Sequence, residues 1–387
     1  MTKLKPYWWE LTKRPAASEQ QALPKEVDIL IVGAGLTGLS AARTAAKAGQ
    51  SVLVVDQHSP GFGASSRNGG MLGGGHKLSI AEMTARYGEH IALGLLREAH
   101  LDSADFVRKV MTEEAIDCDY DQVGRFRGFW HTHEYETTAR ELEQLQKLLP
   151  IEASLLSQAQ QHQAVASDLY RGGVVYHQHA AINPAKWVFG LHRAAVDHGA
   201  LIQGNTAVLG LQKSSHGYLV KTVRGLVKAG KVLLATNGYT PPQMAALHRR
   251  VFPVPSFIIT TENLGRERIK QLFPSDMMVV ESRARHCYYR PSPDKTRIVF
   301  GARAALFDAP EKFAMGQLRK LLGQVFPQLG QIDISHSWRG FTGFSFEFMP
   351  HVGQIDGVWH AAGYSGNGNT LAPWLGHKAA LQMIGDP

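Results

Sequence analysis

Residues 27–56 read VDILIVGAGLTGLSAARTAAKAGQSVLVVD. Val27 to Val32 is a short apolar run that stops at a glycine-rich turn, as a fully buried parallel strand does when it enters a strand–helix–strand unit. Gly33, Gly35 and Gly38 stand in G-x-G-x-x-G spacing. The first allows a tight turn, the second lets backbone approach a pyrophosphate, and the third lets the helix pack closely on the strand. Ala-rich residues from Leu36 to Ala48 continue as a helix that Gly49 ends, and Ser51 to Val55 reads as the second strand. Asp56 closes that strand about twenty residues beyond the glycines, where a carboxylate accepts hydrogen bonds from a ribose hydroxyl. Strand, glycines, helix, strand and acid in this order read as a dinucleotide-binding unit.

The chain has 387 residues, 44% of them apolar, enough for two domains or one large α/β domain with an insertion. No run of eighteen apolar residues occurs, and Met1 to Pro15 has lysines without an apolar stretch behind them. The expected address is therefore cytoplasmic, with no membrane span and no secretory signal. Cys118 and Cys287 are the only cysteines, too few for a disulfide framework or a cysteine metal site. The net charge of +8 comes in small groups, such as His248 to Arg250 and Arg266 to Lys270. That scatter argues against nucleic acid as a partner and suits small anionic ligands.

Outward from the glycine unit, residues 1–25 form an arm whose Tyr7, Trp8 and Trp9 are expected to dock on the body. Gly61 to Gly75, GFGASSRNGGMLGGG, suits backbone lying against a flat ligand while Ser65, Ser66, Arg67 and Asn68 donate hydrogen bonds to it. Helices are expected at Leu78 to Val110, Glu134 to Leu149, Pro184 to His198 and Glu311 to Phe326. Strands are expected at Gly124 to His133, Gly172 to His179 and Leu201 to Leu211, then a hairpin of Gly217 to Val223 and Leu226 to Leu234. Val251 to Ala304 reads as short antiparallel strands. Gly357 to Ala362 reads as a returning strand, followed by a loop to Thr370 and a final helix with Pro373 in its first turn. The expected fold class is α/β: a discontinuous Rossmann-type domain (26–77, 165–240 and 338–387) with an inserted α+β substrate domain (78–164 and 241–337) on a mixed or antiparallel sheet. The two should meet across a cleft.

These segments together resemble the D-amino-acid-oxidase-like FAD-dependent oxidoreductases. The opening unit, GASSRNGG at 63–70, ATNG at 235–238, FGAR at 300–303 and AAGYSGNGNT at 361–370 fall in that family's order over nearly the whole chain. Tyr7-Trp8 and GASSRNGG are similar to the gamma-glutamylputrescine oxidase group within it. The resemblance implies that Gly33, Gly35 and Gly38 hold the FAD pyrophosphate and Asp56 the adenosine ribose. It implies that Ala64, Ser65, Ser66, Arg67, Asn68, Gly69, Gly70 and Met71 pass along the flavin and that Val208 meets the adenine. Ala235, Thr236, Gly238 and Gly340 would complete the cofactor site, and Gly366, Asn367, Gly368, Asn369 and Thr370 would lead into a helix aimed at the flavin pyrimidine ring. Unpaired N–H groups and a positive helix end there stabilise an anionic reduced flavin.

Departures from the family pattern are informative too. Relatives that attach FAD covalently use a cysteine that would fall at Gly340 or a histidine near Arg67; neither is here, which favours noncovalent FAD. The lysine that sarcosine-oxidase-like members keep for oxygen reactivity falls at Val299, and the lysine that grips a small carboxylate falls at Thr370. The resemblance then implies oxidation of an amine C–N bond to an imine and aldehyde, by hydride transfer to flavin N5, on gamma-glutamylputrescine or another ω-amine of polyamine catabolism. An N-methyl or D-amino acid is the alternative. Substrate-site candidates are Tyr289, Arg303 and His351, against a core aromatic, a structural ion pair and a backbone-bonded loop histidine respectively. Trp338, Phe341, Phe344 and Phe346 suit either an aromatic cage for a cation or core packing. The H-x-H pairs His131/His133 and His177/His179 lack a third ligand nearby, so no metal is expected. The number of subunits is left open.

Overall fold

The structure is a computed structural model and describes residues 1–15, 22–284, 286–303 and 309–385. Residues 16–21 of the expected arm, Ala304 at the end of the expected strand region, and residues 386–387 lie outside the described residues. The strand Glu26–Val32 (β1) runs parallel to Val52–Val55 (β2) on one side and to Gly225–Leu234 on the other. Leu201–Gln203 and Val358–Ala362 extend the parallel set, and His351–Ile355 closes one edge antiparallel. A central parallel strand is covered on both faces, which is why β1 is apolar without alternation from Ile29 to Val32, after exposed Glu26 and Asp28. Ile29 and Ile31 face the helices Leu36–Lys47 (α1), Pro184–Asp197 and Gly368–Ile384, while Leu30 and Val32 face the hairpin Val208–Ser214 and Gly217–Thr222.

Among the described residues, a second eight-stranded sheet runs in the order Ile334–Ser345, Val251–Thr261, Ile298–Ala302, Tyr288–Pro291, Met278–Glu281, Arg125–Gly128, Gly173–Tyr176, Ala153–Leu156. It is antiparallel except where Met278–Glu281 pairs with Arg125–Gly128. One face carries an aromatic core in which Tyr289 stacks on Phe300, with centroids 5.4 Å apart, and Phe326 meets both Phe273 and Tyr289 edge-on.

Local outcomes differ from the sequence reading where tertiary pairing decides. Gly173–Tyr176 pairs within the second sheet, although it lies inside 165–240, and Ile334–Ser345 continues in that sheet past 338. The helical stretch from Leu78 divides into Ile80–Tyr87, Glu89–Arg97 and Ser103–Glu113, interrupted at Gly88 and by a π turn at Glu98–Asp102. Arg266–Leu272, expected within a run of strands, is a short helix that buries Ile269 and Leu272, three residues apart on one face.

The arm is part of the body. Trp8 is fully buried and its Nε1 donates to Asn68 O at 2.8 Å, while Trp9 Nε1 donates to Ser66 Oγ at 2.8 Å. Thr2 and Lys3 bond the backbone of Ile334 and Ser335.

Candidate functional site

Gly33 turns at φ +110°, and a Cβ there would lie 2.8 Å from Ala235 O; one on Gly38 would collide with Gly33 O. The strand therefore passes into α1 with nothing between backbone and cleft. Gly35 caps α1 without a side-chain bond, so the positive end of the helix faces the cleft, and Ser65 Oγ accepts from Leu36 N at 3.0 Å. Asp56 is held by two backbone donors, Ala34 N and His58 N, each at 2.8 Å. Burial pushes its carboxyl pKa upward and those two bonds oppose the shift. Gln57, His58, Thr206, Asn237 and Tyr239 also line this cleft.

At its inner end the cleft meets a second cavity, and Asn68, Thr342, Gly366 and Asn369 line both. The two asparagines bond reciprocally: Asn68 Nδ2 donates to Asn369 Oδ1 at 3.1 Å, and Asn369 Nδ2 donates to Asn68 Oδ1 at 2.9 Å. Asn68 also donates to Ala64 O and Ser65 O in the one-turn helix Ala64–Arg67 (α2), and Asn369 to Met71 O. The pair thus fastens α2 to the first turn of Gly368–Ile384, whose N-cap Asn367 makes no side-chain cap bond.

The second cavity is lined by Lys77, Arg125, Arg127 and Arg303, by His76, His100 and His286, and by Tyr288. Arg125 and Arg127 stand two apart on one strand and so share a face. Lys77 is pushed down to about 8, first by desolvation at the cavity wall and then by Arg125, Arg303 and Arg127. Burial first, then neighbouring cations, lowers His100 to about 4 and His286 to about 3, so both rings are neutral at pH 7.

Comparison with known proteins shows the family of the chain that carries these two cavities. The family described as FAD dependent oxidoreductase (DAO) matches residues 28–381. The chain belongs to this family. It is 30% identical to the probable oxidoreductase OrdL of Haemophilus influenzae over 378 residues, covering 94% of this chain and 84% of that protein. It is also 30% identical to gamma-glutamylputrescine oxidoreductase of Escherichia coli over 366 residues, covering 93% and 84%. The fold matches glycine oxidase from Geobacillus kaustophilus with a TM-score of 0.77 at 20% identity, over 94% of this chain and 96% of that one. No helix among the described residues is long and apolar enough to cross a membrane.

Within this FAD-dependent oxidoreductase the residues singled out from sequence divide into three groups. Gly33, Gly35, Asp56, Ala64, Ser65, Asn68, Val208, Ala235, Thr236, Gly366, Gly368 and Asn369 line the glycine cleft. Gly69, Met71, Asn367 and Arg303 line the second cavity. The rest stand behind the walls. Ser66 is buried and donates to Gly61 O. Arg67 donates to Phe62 O at 2.7 Å and lies over the rings of Trp9 and Phe62. Gly38 and Gly238 permit close backbone packing, Gly70 accepts from Arg290, Gly340 abuts Arg67, and Thr370 is buried against Gly73 O.

Tyr289 and His351 line neither cavity. The pleat of Tyr288–Pro291 sends Tyr289 into the aromatic core, where its hydroxyl bonds Tyr170, and sends Tyr288 toward the cavity, its hydroxyl 2.9 Å from Ser256 Oγ. His351 sits on the edge strand, 3.7 Å from Glu347. Val299 is buried. Of the four aromatics considered as a cage, only Phe344 lines the cavity, with Arg303 5.5 Å from its ring centroid. Trp338 Nε1 bonds Arg67 O, Phe341 packs on Tyr239, and Phe346 is exposed beside Phe252. His131 stacks on His133, and His177 bonds Ser154.

Proposed function

We propose that this enzyme holds FAD noncovalently in the glycine cleft and oxidises the carbon beside the nitrogen of an amine that also carries a carboxylate. The observation that carries this reading is the shared wall at Asn68, Thr342, Gly366 and Asn369, where a cofactor-shaped cleft opens into a cavity lined by cations. The residues fit the cofactor: Gly33 turns tightly at the cleft wall where a Cβ would strike Ala235 O, and the start of α1, with a glycine N-cap and Ser65 Oγ beside it, suits a pyrophosphate. Asp56 would take the ribose, Val208 the adenine, and the uncapped start of Gly368–Ile384 the pyrimidine edge. Neither Cys118 nor Cys287 lines the cleft, which supports noncovalent attachment.

FAD, when bound, supplies a hydride acceptor at flavin N5. The protein's part is to hold the substrate carboxylate on its arginines and lysine and to favour the neutral amine. Fixed positive charges beside the substrate nitrogen lower the pKa of its ammonium form. Identity to gamma-glutamylputrescine oxidoreductase makes gamma-glutamylputrescine the first substrate to try, and with it a role in cytoplasmic polyamine catabolism. The second reading is an N-methyl or D-amino acid; 23% identity to glycine oxidase of Bacillus licheniformis supports it.

The test is the visible spectrum of the purified protein, followed without oxygen as gamma-glutamylputrescine, putrescine, sarcosine and a D-amino acid are added. Bleaching by gamma-glutamylputrescine supports the first reading, and bleaching by sarcosine or the D-amino acid the second. A protein without flavin overturns the cofactor reading, and a flavin that none of these four amines bleaches rejects both substrate readings while leaving the cofactor reading in place.

A further inference from the structure

Lys77, Arg125, Arg127 and Arg303 converge on one cavity from three separate parts of the chain, yet none makes an ion pair or a side-chain hydrogen bond among the described residues. Their nearest company is aromatic: Arg125 lies over the Tyr176 ring and Arg303 over Phe344. Two carboxylates share the lining, and neither neutralises the cluster. Glu281 is fully buried and committed to Arg283, with an N–O distance of 2.6 Å, and to the Tyr170 hydroxyl at 2.9 Å. Glu141 is exposed at the rim. Arg125 and Arg303 are half-buried and Lys77 and Arg127 exposed to the cavity, so four like charges repel one another there with no counter-ion among the described residues paired to them. A single carboxylate engages one or two such cations and leaves the remainder uncompensated.

We propose that the substrate is an amine carrying at least two carboxylates, an acidic or N-carboxyalkyl amino acid, held by Lys77, Arg125, Arg127 and Arg303 with its nitrogen toward the Asn68–Asn369 pair. This rests on the reading that FAD occupies the adjoining cleft. It ranks gamma-glutamylputrescine, with one carboxylate and a second amino group, behind a dicarboxylate amine, and it excludes putrescine, whose two ammonium groups the cavity repels. It also accounts for the open size of the second cavity, whose cations stand on strands and loops rather than at one point.

The experiment uses the FAD-loaded enzyme and two probes that cannot be oxidised at a C–N bond, glutarate and butyrate, titrated by calorimetry at low salt. Glutarate is expected to bind about tenfold or more tightly than butyrate, with an affinity that falls steeply with added salt. Lys77→Met and Arg125→Met should each weaken glutarate about tenfold with flavin content unchanged, and Lys77→Arg should restore most of the loss. Iminodiacetate and glutamate are then compared with sarcosine and putrescine as reductants of the flavin. Equal affinity for glutarate and butyrate, insensitivity to Lys77→Met with flavin retained, or reduction by putrescine as fast as by the dicarboxylates overturns the proposal. Flavin content is read first and separately: its absence overturns the cofactor reading on which this proposal rests, and with flavin present the glutarate-to-butyrate ratio alone decides the dicarboxylate.

Discussion

The two cavities that meet at Asn68 and Asn369 are built from different materials. The glycine cleft is shaped largely by main chain: the turn at Gly33, the start of α1 with Ser65 Oγ on Leu36 N, and an acid fixed by two backbone N–H groups. The second cavity is made of long side chains that reach in from positions as far apart as Lys77 and Arg303. The glycine turn, the helix start and the acid can be written in thirty consecutive residues, whereas a charged cavity has to be assembled by the fold. The first tolerates almost no change at its glycines. The second can change its ligand by exchanging side chains, leaving the scaffold untouched.

The contrast can be broken most forcefully from the arm. Trp8 supports α2 from behind, so Trp8→Ala should cost about 3–5 kcal/mol in denaturant unfolding, as truncation of a buried aromatic does, and should lower flavin occupancy with it. Full stability with full occupancy would show that the cleft does not depend on this support. A smaller effect separates two neighbours. Tyr289→Phe should cost about 1 kcal/mol of stability, because it removes a buried hydroxyl from Tyr170, and should leave KM unchanged. Tyr288→Phe should do the reverse, with near-normal stability and a raised KM; the opposite assignment would place the substrate on the other face of that strand.

Smaller still is a pH effect confined to the charged cavity. Lys77 faces Arg125, Arg127 and Arg303, with the neutral rings of His286 and His100 and the phenol of Tyr288 nearby. It is protonated below about 8 and loses its charge above, so anion affinity should fall as pH rises through that value. A bound carboxylate favours the protonated form, so the midpoint in the complex should move upward. An affinity flat from pH 6 to 9 would remove Lys77 from the site. At the bottom of the scale, His351→Ala should change stability by less than about 0.5 kcal/mol and leave kcat/KM alone.

The same contrast explains what could be read beforehand. Gly33, Gly35 and Asp56 were legible because their spacing along the chain is their geometry. Tyr289 was not, because the choice between it and Tyr288 is one residue of pleat, set by which face of the second sheet packs on Phe300 and Phe326. Lys77, His100, Arg125 and Arg127 escaped notice since no local pattern links them. One signal was present: Arg125 and Arg127 alternate on a strand, so both must face the same way, and a strand face with two arginines needs an anion or water. Trp8 and Trp9 were recognised as a docking cluster, but not their destination, because a tryptophan names no partner.

The arm also bears on the order in which the molecule forms. Thr2 and Lys3 bond Ile334 and Ser335, residues more than three hundred positions away. A contact of that span closes late, since nearly the whole intervening chain must be ordered before it gains anything. Until then the segment stays open to proteases, and its resistance to cleavage during refolding becomes a clock for completion of the fold around Asn68.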